Sequence, residues 1–250
     1  MDFMQPATKD VLWQKMRSDL IRYIPRVADT NLLMCCCCGR FLPCSQFSIE
    51  HIIPKQSLKD DPTIVKEKVF SNIRSGNILL CQKELRINGQ PFHRLGCNSY
   101  KGKNYDQFLK EVFNRTVLGK KDFHSGHHVA LVAAAYLAMV AKYGYQIALT
   151  KSGLITRSQF FNPTKFLDGF PTLSQMVLMG EKPTVYDQND LSIWETPFSF
   201  NIEDGRCFVF MRGLVVVLPL SRNPLIPLAE ILPFAPSRYK MKPDFRTVFE

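Results

Sequence analysis

The 250-residue sequence lacks an apolar segment long enough to cross a bilayer. Its longest apolar run is HVALVAAAYLAMVA, residues 128–141, which Lys142 ends. This run is shorter than the roughly 20 residues that a membrane-spanning helix needs. The opening stretch MDFMQPATKD also lacks the basic start and apolar core of a signal peptide. We therefore expect a soluble, cytoplasmic protein that does not associate with membranes.

Internal repeats and low-complexity tracts are absent too, and acidic residues are scarce relative to basic ones. The chain has 32 Lys and Arg against 22 Asp and Glu, which gives a formal net charge of +10. Positive charge favours polyanionic partners, because phosphate neutralisation releases condensed counterions. A hydrophobic content of 46% excludes disordered and fibrous classes and predicts a globular chain with a buried core.

Cysteine, in contrast, is abundant, with eight residues. In a reducing compartment these side chains are expected to be thiols or metal ligands rather than disulfides. The stretch CCCCG contains one C-x-x-C pair, Cys35 with Cys38, and the glycine that follows permits a tight turn. Two thiolates at this spacing can both reach a zinc ion at about 2.3 Å. Cys36 and Cys37 are alternative ligands.

A second pair of zinc ligands is expected further along the chain. Cys81 and Cys97 are the candidates, although fifteen residues, QKELRINGQPFHRLG, separate them. An inserted loop adds little closure entropy, so a site can tolerate it. His93, inside this loop, and Cys44 are alternatives for one of the ligands. The predicted structural zinc site therefore consists of Cys35, Cys38, Cys81 and Cys97.

Hydrophobic periodicity predicts the elements around these residues. A helix is expected over 9–26, with Thr8 or Asp10 as its cap. The runs FSIEHIIP (47–54) and NILLC (77–81) are typical of strands.

Further along the chain, one helix is predicted from Cys97 to residue 119 and an apolar core helix over 128–143. Strands are expected within 142–154 and 206–220. We divide the chain into three parts: an N-terminal helix (1–30), a zinc-containing domain (31–122) and a smaller α+β companion domain (123–250).

The stretch SIEHIIPKQS places an acid beside an imidazole. A strand alternates its side chains between two faces, so Glu50 and His51 can serve different partners, one a metal and the other a water molecule. Four motifs occur in order over residues 35–104: C-x-x-C, E-H-I-I-P, G-N-I-L-L-C and C-N-S-Y-K-G. In this order they resemble the HNH endonuclease family, whose ββα-metal core is built on a treble-clef zinc site.

The resemblance implies an α+β fold and a metal-dependent endonuclease that hydrolyses phosphodiester bonds in DNA, most readily double-stranded DNA. His51 would act as the general base, since an unperturbed pKa near 6.5 allows it to accept a proton at neutral pH. Glu50 and Asn98 would hold one catalytic cation. Asn77 would orient His51, and Lys101, one helical turn after Asn98, would neutralise a substrate phosphate.

The metal preference follows from a departure from the family pattern. Many members carry histidine where this chain has Asn98, and some add a ligand where it has Gly102. Oxygen ligands favour Mg²⁺ or Mn²⁺ over ions that prefer imidazole. Family members work in restriction, phage defence, mobile elements and toxins, which favours a defence or restriction role. A homodimer and a partner ATPase or sensor are open alternatives, as is cleavage of RNA. The rival hypothesis is a zinc-organised module that binds nucleic acid or protein without catalysis.

Overall fold

The computed structural model describes most of the first 160 residues and parts of the C-terminal third. The described residues are 8–58, 76–87, 90–92, 95–113, 125–149, 153, 156–157, 160, 176–179, 198–203, 205–211 and 214–220. Their α-helices are α1 (Lys9–Tyr23), α2 (Cys97–Asn104), α3 (Asp106–Phe113), α4 (Ser125–Tyr143) and α5 (Tyr145–Leu149). Short 3₁₀ helices lie at Pro25–Val27, Cys44–Gln46 and Lys55–Leu58.

All strand pairs in the described residues are antiparallel. The strands are β1 (Leu32–Met34), β2 (Phe41–Pro43), β3 (Phe47–His51), β4 (Asn77–Cys81), β5 (Leu85–Ile87), β6 (Gln90–Phe92), β7 (Met176–Met179), β8 (Ser199–Glu203), β9 (Arg206–Met211) and β10 (Leu214–Pro219). They form three two-stranded sheets, β1–β2, β3–β4 and β5–β6, and one four-stranded sheet in the order β7-β10-β9-β8. The fold is therefore mixed α+β, built from small sheets and helices.

The first helix begins as predicted and packs on the strand that carries the acid–histidine pair. The Thr8 hydroxyl accepts a hydrogen bond from the Val11 amide at 3.3 Å, which satisfies one of the free donors of the first turn. The helix was expected to reach residue 26 but ends at Tyr23, because Pro25 disfavours helical geometry in the residue before it and opens a 3₁₀ turn instead. The Trp13 ring packs edge-on against Phe47, with 5.6 Å between ring centroids. This contact fixes α1 against β3.

The Ala-rich helix α4 lies in the core, as predicted. Residues 129–141 are all buried, and they belong to one hydrophobic cluster that extends from α1 to β10. The Tyr136 hydroxyl donates to the carbonyl of Cys36 at 2.6 Å, and a second tyrosine hydroxyl, at the start of α5, donates to the carbonyl of Met34. Both hydrogen bonds attach the C-terminal half to the cysteine-rich turn. The division of the chain at 30 and 122 stays a prediction.

None of the helices among the described residues combines the length and the apolar character that spanning a bilayer requires.

Two further sequence expectations about secondary structure were wrong. The segment after Lys142 was expected to be a strand, but Tyr145–Leu149 is a helix with every residue buried. Gly144, at φ +80°, ends α4, and the Asp19 carboxylate accepts a hydrogen bond from the Tyr145 amide at 2.6 Å. The start of this helix is therefore stabilised by Asp19, a residue more than a hundred positions earlier in the sequence.

The second error concerns the helix that was expected to run from Cys97 to residue 119. It is interrupted at Tyr105, whose ring packs edge-on against Tyr100 and Phe160, with centroid separations of 6.0 Å and 5.3 Å. The chain continues as a separate helix, α3, and residues 114–119 lie outside the described ranges.

Candidate functional site

Four cysteines meet at the base of the β3–β4 hairpin. The Sγ atoms of Cys35, Cys38, Cys81 and Cys97 lie within 4.8 Å of one another, and all four residues are buried. The Sγ of Cys81 lies 3.6 Å from that of Cys38 and 3.3 Å from that of Cys97. A zinc ion bound tetrahedrally by four thiolates separates the sulfurs by about 3.8 Å, given bonds near 2.3 Å. The predicted ligand set is therefore brought together in a geometry that fits a structural zinc ion.

The first ligand pair lies on a tight turn between β1 and β2. The Cys35 amide donates to the carbonyl of Arg40, and the amide of Gly39, at φ +77°, donates to the carbonyl of Cys35, both at 2.8 Å. The guanidinium of Arg40 donates from Nε to the Cys38 Sγ at 3.4 Å and from Nη1 to the carbonyl of Glu84. Arg40 thus places a positive charge beside the thiolates and ties the turn to the chain that follows β4.

The second pair is closed by a hairpin inside the fifteen-residue insertion. Cys81 ends β4, strands β5 and β6 carry the chain out and back, and Cys97 begins α2. Gly96 lies directly against the outgoing chain, since a Cβ atom there would fall 2.4 Å from the carbonyl oxygen of Cys81 and from backbone atoms of Gln82. The returning chain can approach this closely only without a side chain at residue 96.

A Gly96→Ala variant is expected to lose about 1–3 kcal/mol of unfolding free energy, because the added methyl group overlaps backbone atoms that cannot rotate away. Chemical denaturation followed by circular dichroism measures this change. Gly102→Ala is the matched control: this exposed glycine lies within α2, and its Cβ would meet only the Asp106 side chain, at 3.8 Å. Alanine there should stabilise the helix by about 0.5–1 kcal/mol. Equal stability of Gly96→Ala and the wild type would contradict the close approach.

The alternative ligands differ in position. Cys36 and Cys37 are fully buried beside the cluster but are not among the four grouped thiols, and Cys44 is half-buried and also outside this group. His93 lies outside the described residues. Hydrogen bonds with neighbouring thiols and burial raise the pKa of Cys81, and burial raises that of Cys97 well above its ordinary value. Since zinc binds thiolates, a bound cation would offset this cost of ionisation.

The β3–β4 hairpin holds the acid–histidine pair. In the antiparallel register, His51 lies opposite Asn77 and Glu50 lies opposite Ile78. Directly opposed residues share a face of the sheet, so His51 and Asn77 are neighbours on one face and Glu50 lies on the other. The amide of Ile52 continues the pairing with a 3.0 Å hydrogen bond to the carbonyl of the glycine before Asn77.

Helix α2 packs on the Glu50 face of the hairpin and brings Asn98 against β3. The side-chain Nδ2 of Asn98 donates to the Ser48 hydroxyl at 2.8 Å and to the carbonyl of Ile49 at 3.1 Å. Because Nδ2 makes both bonds, the amide oxygen Oδ1 is the atom left for a cation. Asn98 therefore lies on the element that faces Glu50, but its contacts are with Ser48 and Ile49.

Lys101, one turn after Asn98, lies inside the protein. Its side chain is 0% exposed, and Nζ lies 2.6 Å from the Glu50 Oε1 and 2.6 Å from the Asp106 Oδ1. Nζ also donates to the carbonyl of His51 at 3.2 Å. Burial alone would lower the pKa of Lys101, but the two carboxylates outweigh it and raise the pKa, so the ammonium stays charged. The predicted contact with a substrate phosphate stays a prediction.

The His51 imidazole is uncharged at neutral pH. Burial, together with the positive charges of Lys55 and Lys101, lowers the pKa of His51 to about 4, while interaction with the Asn77 side chain opposes the shift. Burial also raises the pKa of Glu50, against the effect of Lys101. A neutral imidazole can accept a proton, which is the property a general base needs.

Three residues of this arrangement were missed by the sequence analysis: Ser48, Arg40 and Asp106. Asp106 carries no sequence signal, because a spacing of five residues from Lys101 is not a helical contact and an acid in the first turn of a helix is common. Ser48 could have been identified, since it shares a strand face with Glu50.

No family model, curated protein or solved structure matches the chain.

Proposed function

We propose that the chain is a metal-dependent, HNH-type endonuclease that hydrolyses phosphodiester bonds in DNA, with β3, β4 and α2 as a ββα-metal core. The main support for the proposal is that several predicted site residues meet at the end of β3. Asn77 lies opposite His51, and α2 contacts β3 through Asn98 and Lys101. The four thiols beneath it join the end of β4 to the start of α2.

His51 is the proposed general base. The neutral imidazole takes a proton from the attacking water, and Asn77, its cross-strand neighbour, keeps the ring oriented toward the phosphate. The Lys101 hydrogen bond to the His51 carbonyl holds the strand end in place. These contacts position the base before substrate binds, which lowers the entropic cost of reaching the reactive geometry.

Glu50 and Asn98 are the proposed ligands of a divalent cation. One oxygen of each remains after the contacts described above, Oε2 of Glu50 and Oδ1 of Asn98, and both are the hard donors that Mg²⁺ and Mn²⁺ prefer. When bound, such a cation supplies charge stabilisation for the phosphoryl oxygens and the leaving oxygen.

A nucleic acid is the proposed substrate because of charge, and the resemblance to HNH endonucleases favours DNA. The chain carries a net charge of +10, and the exposed Lys55 lies close enough to the His51 imidazole to affect its pKa. Exposed Lys103, two residues after Lys101 on α2, adds a second cation. Both can contact backbone phosphates on either side of the scissile bond, with no sequence preference of their own. A role in restriction or phage defence, a homodimer and a partner ATPase or sensor stay predictions.

A plasmid-nicking assay tests the proposal. Zinc-loaded protein should convert supercoiled plasmid to the nicked or linear form when Mg²⁺ or Mn²⁺ is added, and Ca²⁺ should support cleavage poorly because it polarises oxygens less strongly. A structured RNA substrate, run in parallel, measures the preference for DNA. Absence of cleavage of both nucleic acids at every divalent cation concentration would refute the proposed nuclease activity.

The second candidate function is a zinc-organised module that binds nucleic acid without cutting it. The buried ion pairs of Lys101 favour it, since they already satisfy Glu50 without a metal ion. In that case, fluorescence anisotropy should detect salt-dependent DNA binding that divalent cations do not strengthen.

A further inference from the structure

Lys101 is a fully buried cation shared by two acids from different elements. Glu50 is 7% exposed and lies on β3, whereas Asp106 is 30% exposed and is the first residue of α3. The Nζ–O distances of 2.6 Å are those of strong, charge-assisted hydrogen bonds. A buried ammonium requires this compensation, because its transfer from water would otherwise cost several kcal/mol.

The charges of the three side chains do not cancel. Two carboxylates and one ammonium leave a net charge of −1 at the end of β3. The ammonium contacts Oε1 of Glu50 and Oδ1 of Asp106 at the same distance, so the negative charge that remains is shared by the other two oxygens, Oε2 of Glu50 and Oδ2 of Asp106. The same ammonium fixes the carbonyl of His51, the neighbouring residue.

We propose that Lys101 and Asp106 are positioning residues for a divalent cation at Glu50: the Lys101 ammonium fixes the Glu50 carboxylate, and Asp106 offsets the lysine charge so that Glu50 keeps its attraction for the cation. This inference rests on the proposed function, since it concerns the same Glu50 site.

The two residues act on cation affinity in opposite directions. Without the Asp106 charge, the Lys101 ammonium would neutralise Glu50 alone, and a divalent cation would meet a pair with no net charge. Without the Lys101 charge, the two carboxylates would present a net charge of −2 to the same cation. Coulomb energies at short range and low dielectric are large enough for one unit charge to change affinity by about tenfold or more. A salt bridge with a purely structural role would instead weaken binding in both variants.

The experiment measures Mn²⁺ affinity directly, from the electron paramagnetic resonance signal of free Mn²⁺, on zinc-loaded full-length protein. Asp106→Asn is expected to raise the Mn²⁺ dissociation constant by about tenfold, and Lys101→Met to lower it by about tenfold. Glu111→Gln is the matched control: it removes a carboxylate of similar exposure, 31% against 30%, from the same helix α3 but at a residue paired with His127. Its Mn²⁺ affinity should equal that of the wild type.

Every outcome decides the inference. If Lys101→Met fails to fold, as judged by zinc content and circular dichroism, Lys101→Gln takes its place, since it removes the charge but keeps a polar group that can bond the Glu50 and Asp106 carboxylates. Unchanged Mn²⁺ affinity in Asp106→Asn, weaker binding in both Lys101→Met and Asp106→Asn, or no Mn²⁺ binding by the wild type would overturn it. The nicking assay is judged separately: opposite affinity shifts without cleavage support the inference but not the nuclease, and cleavage without these shifts supports only the nuclease.

Discussion

A His51→Ala variant is expected to cleave plasmid DNA about 10²–10⁴-fold more slowly than the wild type, which is the usual contribution of a general base. The structure gives the reason: His51 ends β3 beside Glu50 and opposite Asn77, and burial with two lysine charges lowers the pKa of His51 to about 4. The imidazole is therefore in its proton-accepting form at neutral pH. Alanine removes the acceptor while the backbone pairing with β4 stays intact. First-order rates of supercoil loss at saturating Mg²⁺ measure the effect.

The control for this variant is His128→Ala. His128 is also a half-buried histidine whose pKa is lowered by burial, but it belongs to α4 and not to the hairpin. Its replacement should leave the cleavage rate unchanged within a factor of about two, because it removes an imidazole without a role in proton transfer. Both variants should retain zinc and the wild-type circular dichroism spectrum. Equal cleavage by His51→Ala and the wild type would point to another site or to a contaminating nuclease.

A Cys81→Ser variant is expected to lose its zinc and most of its folded structure. Cys81 lies next to both Cys38 and Cys97 in the cluster, so its loss removes the sulfur that joins the turn between β1 and β2 to the start of α2. Structural zinc binding contributes about 10–16 kcal/mol in small zinc domains, which is comparable to the whole stability of a folded domain, about 5–15 kcal/mol. Zinc content by mass spectrometry, about one ion per wild-type chain, and thermal melting check the result.

A Cys44→Ser variant tests whether Cys44 is a zinc ligand. Cys44 is half-buried and lies outside the group of four thiols, so the variant should keep its zinc and melt close to the wild type. Zinc loss in Cys44→Ser together with retention in Cys81→Ser would replace Cys81 by Cys44 in the ligand set.

The four clustered cysteines could be predicted from sequence because each lies in a recognisable local pattern. A C-x-x-C pair followed by glycine requires only a tight turn, and Cys81 and Cys97 each adjoin a recognisable element, a strand and a helix. Alternation along a strand likewise separates Glu50 from His51 without knowledge of the fold. The sequence could not reveal how the insertion between Cys81 and Cys97 folds back to bring the two thiols together. That depends on the contact of Gly96 with the backbone at Gln82.

The surroundings of Lys101 were beyond sequence reasoning for a different reason. Its position one helical turn after Asn98 predicted a contact with a substrate phosphate, and lysine side chains are normally solvated. In the structure Lys101 is buried where α2 packs on the hairpin, and Asp106, which follows the break at Tyr105, lies 2.6 Å from its Nζ. Neither condition has a local signature.

The amino-acid sequence by itself determined the local features: the capped first helix, the cysteine turn, the two strands of the hairpin and the apolar helix α4. Each depends on propensity or periodicity within a short window. Only the tertiary structure decided that Tyr145–Leu149 is a helix, that Lys101 lies between Glu50 and Asp106, and that tyrosine hydroxyls of the C-terminal half hold the cysteine turn. These contacts join residues far apart in the chain, and their partners become adjacent only when the core closes.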